Sequence, residues 1–310
     1  MANVRTRHFS NQPTAPGTRW TIKGLPLGKV LLLVLSACCA RSQTWFPATT
    51  PQFTFGSVAL QLTDGTIMVQ QSNYSSWWRL TPGKFGSYNT GTWSQLQSLP
   101  AGYAPNGFAS AVLPDGRVII EGGEYNNGMK ADTNKGAIYD PHTNSWTPVS
   151  PPTGWAKIGD APSVVLPDGT FMLGTCCGEQ AALFDATAFP TVPYWKVLTT
   201  SSGYKGKFDS NSEEGWTLLP GFNGGVLTVD THPGSIGNGS TNSEVYNPSA
   251  GAWTSAGSTV AQLWDSRNLC GVTGATHEIG PAVLRPDGTI FATGANSSPA
   301  QPATPRFMTR

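Results

Sequence analysis

The chain has 310 residues, a formal net charge of +1, 12% charged residues, 36 glycines and 25 prolines. A balance so close to neutral excludes a chain drawn as a whole to nucleic acid or to an anionic membrane surface. So many glycines and prolines exclude a protein built of long helices and suit a turn-dense, all-β one.

The first 40 residues stand apart. No acid precedes Asp64, whereas Arg5, Arg7, Arg19, Lys23 and Lys29 lead into the apolar run Val30–Ala37. A basic stretch followed by an apolar one too short to span a bilayer predicts an export signal over residues 1–40. Leu35-Ser36-Ala37-Cys38 resembles a bacterial lipobox, which implies lipidation of Cys38. Cleavage near Ala40 and release is the alternative. The expected location is secreted, periplasmic or on the outer surface, with the membrane reached only through a lipid anchor.

From Leu60 onward one pattern recurs about every 50 residues: LQLTDGTIMVQQ, VLPDGRVIIEGG, VVLPDGTFMLGT and VLRPDGTIFATG, marked by Asp64, Asp115, Asp168 and Asp287. A looser copy, TLLPGFNGGVLTVDT, starts at Thr217. Asp-Gly supplies the backbone angles of a tight hairpin turn between two apolar runs, so each copy predicts two strands, A and B. A second pair, C and D, follows in AIYDPHTNSWTPV and EVYNPSAGAWTSA, with Tyr139 or Tyr246 on C and Trp146 or Trp253 on D. Trp77, Trp78 and Trp93 in the first copy, and Phe184, Tyr194 and Trp195 in the third, fall at similar places. A four-stranded sheet of this size cannot bury both its faces alone, and radial stacking of such sheets does so. A sandwich or barrel also has closely spaced strands, but the regular period favours stacked blades.

Four apolar residues, the Gly122-Gly123 pair, Tyr139 and Trp146 resemble the kelch motif. The resemblance covers about Phe53 to Ala295 and implies a β-propeller of six or seven four-stranded blades. The chain is also similar to secreted bacterial kelch proteins of the galactose oxidase-like group. Residues 44–295 are therefore expected to form the blades. About four and a half are visible, because the fifth copy stops after strand B near Gly294. Thr44–Phe53 reads as a lone D strand of the kind that completes a last blade. The expectation is a truncated ring, with residues 296–310, which carry three prolines, as a structureless tail.

In such a propeller the D–A and B–C loops share one face around the mouth of the central channel. Asp160, Glu213 with Glu214, and His277 with Glu278 precede A strands. Glu124 with Tyr125, and His232, follow B strands. These residues are far apart in sequence and are expected to converge as an acidic mouth that binds a carbohydrate or protein ligand. Trp77, Trp78, Trp155 and Trp216 are candidates for stacking on sugars. Converging carboxylates also suit Ca²⁺ or acid–base chemistry. The competing reading is that they only cap strand ends and face water.

The galactose and glyoxal oxidases of this superfamily hold copper with two His and two Tyr, one Tyr being cross-linked to Cys. Tyr103, Tyr125, Cys176, His232 and His277 do not match that set residue by residue, and no Tyr-His dipeptide occurs. Neither a nucleophile elbow, a phosphate loop nor a His-Glu-x-x-His motif is present. The expected role is binding without a cofactor. An oxidoreductase using the same mouth, with copper or calcium, is the alternative. Cys176, Cys177 and Cys270 remain outside the signal, and a Cys176–Cys177 bridge or a bridge from either to Cys270 is open.

Overall fold

The same turn is built four times. In the computed structural model, which describes residues 47–211, 213–231, 241–265 and 277–294, and the backbone of 306–308, each Asp of an Asp-Gly pair accepts a backbone N–H two residues on. The donors are Thr66 to Asp64 at 2.9 Å, Arg117 to Asp115 at 3.0 Å, Thr170 to Asp168 at 2.9 Å and Thr289 to Asp287 at 3.0 Å. The glycines that follow, Gly65, Gly116, Gly169 and Gly288, have φ between 81° and 88°, a region closed to most side chains.

Each turn joins the first two strands of an antiparallel sheet. The first sheet runs β1 (Gly56–Gln61), β2 (Ile67–Gln71), β3 (Trp77–Thr81) and β4 (Thr92–Gln95) in that order. A small sheet interrupts the second unit and is built of β5 (Pro105–Asn106), β8 (Tyr125–Asn126) and β9 (Met129–Lys130). The second large sheet is β6 (Ala109–Val112), β7 (Val118–Glu121), β10 (Gly136–Asp140) and β11 (Ser145–Val149). The third is β12 (Ser163–Val165), β13 (Phe171–Gly174), β14 (Ala181–Phe184) and β15 (Trp195–Val197). The fourth is β16 (Thr217–Leu219), β17 (Gly225–Val229), β18 (Asn242–Asn247) and β19 (Ala252–Ser258). The fifth holds β20 (Ala282–Leu284), β21 (Ile290–Ala292) and β22 (Arg306–Met308). The described residues contain no α-helix and no helix long and apolar enough to cross a membrane.

First strands of successive sheets lie side by side, β1 with β6, β6 with β12, β12 with β16 and β16 with β20. That is the stacking of propeller blades about their inner strands. The second strands β7, β13 and β17 are buried on both faces, and the alternation of their side chains divides them between neighbours. Val118 and Ile120 enter the core shared with the first sheet, Ile119 the core shared with the third. Phe171 and Leu173 face the second sheet, Met172 the fourth. Each such side chain contributes about 1.5–3 kcal/mol by burial.

The tryptophans of the fourth strands tie each blade to the one before. Trp146 Nε1 donates to the Gln97 carbonyl at 3.0 Å and Trp195 Nε1 to the Ser150 carbonyl at 2.8 Å. Trp253 Nε1 donates to the Tyr204 hydroxyl at 3.2 Å. Trp93 makes the matching bond, 2.8 Å, to the Thr49 carbonyl. Thr49 therefore occupies the place that the exit of a preceding fourth strand takes elsewhere. Pro47–Phe53 nevertheless forms no strand, unlike the expectation for Thr44–Phe53; it packs Phe53 on Trp78 and Trp93 instead.

The tail also differs from expectation. Arg306–Met308 pairs with β21, Ile290 opposite Met308 and Ala292 opposite Arg306. None of these three residues is proline, so each has an amide to offer the edge of β21.

Candidate functional site

The loops before first strands and after second strands do converge. Gly107 (φ 61°) lets Glu124 and Asp160 approach: a side chain there would lie 3.3 Å from the Glu124 Cβ and 3.6 Å from the Asp160 carboxyl. Glu124, Asp160 and Glu213, from three different sheets' loops, each place a carboxylate oxygen within 4.8 Å of the other two, and all three are partly exposed. Glu278 adds its field to the same group.

Burial, a hydrogen bond with Asp160 and the charges of Asp160, Glu278 and Glu124 push the Glu213 carboxyl up to about 9. Burial, then Asp160 and Glu124, raises Glu278 as well. Like charges this close cannot all ionise, so at neutral pH Glu213 keeps its proton and directs it at Asp160 in a hydrogen bond. The mouth thus offers a donor and several acceptors. Among the described residues a cation answers it: Lys130 Nζ lies 3.2 Å from Glu124 Oε1.

Tyr125 stands in the small sheet opposite Asn106 and Lys130, 36% exposed. His277 (φ 60°) stacks on Trp264, rings 5.0 Å apart and 11° from parallel, with Nδ1 2.8 Å from the Thr231 carbonyl. His232, Cys270 and Cys38 lie outside the described residues.

Glu214 is not at the mouth. Its neighbour Glu213 takes a left-handed φ of 58°, and the next side chain turns inward. There Glu214 meets Lys207, whose ammonium is fully buried among four carboxylates: Asp209 and Glu214 at 2.7 Å, Asp230 at 3.1 Å and Glu244 at 3.2 Å. Burial opposes the charge on Lys207, but these carboxylates outweigh it and hold its pKa well above the ordinary range. Burial raises Glu244 to about 7 against the pull of Lys207. Thr228 donates to Glu214 and the Phe208 amide to Glu244, both at 3.0 Å. The cluster ties the loop carrying Glu213 to β17 and β18. Sequence reading missed it, although Lys207 and Asp209 followed closely by Glu213-Glu214 was a visible signal.

The proposed sugar-stacking rings are mostly interior. Trp77 is fully buried, Trp155 is 6% exposed and Trp216 9%. They fill the spaces between sheets, which leaves Trp78 alone partly exposed. The Cys176–Cys177 bridge is not formed: Cys176 is buried against Gly159, whereas Cys177, at φ 67°, turns its thiol to solvent. One further buried acid stands out. Glu121, at the end of β7, is fully buried with neither carboxyl oxygen hydrogen-bonded, and burial pushes its pKa far up.

Among the described residues two trios of carboxylates come close enough to share a cation, Glu124–Asp160–Glu213 and Asp209–Asp230–Glu244, and in the second the Lys207 ammonium already takes that place. Hard oxygen donors suit calcium or magnesium. Of the residues weighed for copper, Tyr103 donates its hydroxyl to the Gly122 carbonyl at 2.8 Å, and His232 lies outside the described residues.

No family model matches the chain, and neither does any curated protein. Solved structures do. The chain is similar to the structure of YjhT at 16% identity and TM-score 0.50, over 81% of this chain and 75% of that one. It is similar to a fungal alcohol oxidase of the AA5 family in complex with copper at 14% identity and TM-score 0.44, over 78% of this chain and 58% of that one. A third is virginiamycin B lyase from Staphylococcus aureus, at 10% identity and TM-score 0.48, over 84% and 72%. The fold is thus that of β-propeller proteins. The chain spans 58% of the alcohol oxidase's length.

Proposed function

We propose that the protein is an exported binding module that holds a carbohydrate at the acidic mouth. The observation that carries this is the trio Glu124, Asp160 and Glu213, drawn from three loops and holding one proton. A hydroxyl both donates and accepts, and a set of carboxylates with one retained proton does the same. The preformed scaffold beneath, pinned by Lys207, keeps the ordering cost of binding low. Export is supported by the basic and apolar N-terminal runs.

The test is a glycan array probed with the full chain, followed by calorimetry on the sugars retained. Asp160→Ala should weaken binding at least about tenfold, the scale of losing one or two charge-assisted hydrogen bonds. Absence of any retained glycan, or unchanged affinity in Asp160→Ala, would overturn the proposal. A peptide array in the same format would then test the mouth for protein ligands.

A further inference from the structure

The chain leading into β16 gathers around a positive charge of its own. The Lys207 ammonium is fully buried, and four carboxylates close on it. Asp209 and Glu214 come from the same loop, Asp230 follows β17, and Glu244 stands in β18. The side chains of Glu214 and Glu244 are as fully buried as the ammonium, and those of Asp209 and Asp230 are 3% and 5% exposed. Glu214 turns both oxygens to Nζ, at 2.7 and 2.9 Å. Glu244 Oε1 accepts the Phe208 amide, whereas Oε2 is buried, accepts no further hydrogen bond and faces the ammonium at 3.2 Å. Oxygens of Asp209, Asp230 and Glu244 lie within 4.8 Å of one another, close enough to meet on one ion.

One carboxylate is enough to neutralise an ammonium, and each further one buried beside it costs free energy. Several carboxylates around one centre is instead the arrangement that a hard divalent cation takes. We propose that this cluster is a calcium-type cation site that the protein fills from within: Lys207 serves as its tethered cation, and Ca²⁺ enters when that side chain is cut short. The oxygens stand 2.7–3.2 Å from Nζ. Ca²⁺ takes about six to eight oxygens at about 2.3–2.6 Å in flexible geometry, so the carboxylates need to close by only about half an ångström, with water filling the space of the lost stem. Mg²⁺ demands about 2.0–2.1 Å and a rigid octahedron, a poorer match. The inference does not rest on the carbohydrate reading of the mouth.

The test compares the full-length wild type with Lys207→Ala by calorimetry and thermal unfolding, in Ca²⁺, in Mg²⁺ and in chelator. Lys207→Ala should bind one Ca²⁺ more than wild type and regain with it the thermal midpoint that the substitution lowers, with Mg²⁺ at least about tenfold weaker. Adding Glu244→Gln keeps an acceptor for the Phe208 amide but removes a charge, and should weaken the added Ca²⁺ at least about tenfold. If Lys207→Ala does not fold unaided, it is refolded from urea with and without Ca²⁺, and recovery should need the ion. No additional Ca²⁺ in Lys207→Ala, an added ion untouched by Glu244→Gln, or a yield of refolded protein that ignores Ca²⁺ would each overturn the assignment and leave the cluster an ion-pair network only.

Discussion

Replacing Glu121 by Met should stabilise the protein, and by an amount that depends on pH. Glu121 is fully buried, its oxygens accept no hydrogen bond, and burial holds its pKa far above the ordinary 4.5. In the folded state it therefore stays protonated at pH 7, while in the unfolded chain it ionises above about 4.5. A raised carboxyl pKa means that the unfolded state binds fewer protons as pH climbs, so stability falls with pH. The slope is about 1.4 kcal/mol per pH unit once the unfolded group is ionised. From pH 4.5 to pH 7 the cost grows to about 3.4 kcal/mol, and it is small below pH 4.5. Met has a similar volume and no proton to lose. Urea unfolding of both proteins at pH 5 and pH 7 measures it. The stability gap between Glu121→Met and wild type should widen by about 2.5 kcal/mol over those two units. A gap that stays constant would mean that Glu121 does not change ionisation on unfolding, and the reasoning would be wrong.

Lys207→Met leaves four buried carboxyls without their cation and should cost about 3–5 kcal/mol, read as a lowered thermal midpoint or loss of soluble protein. Trp146→Phe keeps an aromatic ring but loses the bond to the Gln97 carbonyl, and should cost at least about 1 kcal/mol in urea unfolding. Gly122→Ala should cost more than about 1 kcal/mol, since φ is 79° and the new methyl would lie 2.5 Å from the Gly159 carbonyl oxygen. Sugar affinity at the mouth should hold from pH 6 to 8 and fall as pH rises through about 9, where Glu213 loses its proton. Glu213→Gln keeps a donor, so calorimetry across that range should show no such fall.

The sheets were legible because their signals are local. An Asp accepting the amide two residues on, with glycine between, needs nothing from the rest of the chain, and four such turns placed eight strands. The mouth was legible by one more step: once the sheets stack, the loops before β12, β16 and β20 must share a face, and Asp160, Glu213 and Glu278 come with them. What stayed hidden depends on single backbone angles and on packing partners. Whether Glu213 or Glu214 faces out is decided by one left-handed residue. Whether Trp77 is a platform or a core residue depends on the neighbouring sheet, which supplies Tyr139 and Trp146. Adjacency left a Cys176–Cys177 bridge open, yet the turn at Cys177 puts one cysteine in the interior and the other at the surface.

The indole bonds from Trp146, Trp195 and Trp253 all run backward along the chain, each to a group in the unit already passed. This gives assembly a direction. A chain emerging from the ribosome N-terminus first finds each docking acceptor already in place when the next tryptophan arrives. Each finished sheet is a template for the one still being made. Chains stalled after Val149 and after Val197 should therefore become protease-resistant in that order, whereas a chain lacking the first sheet leaves Trp146 without its acceptor and the second sheet without its template.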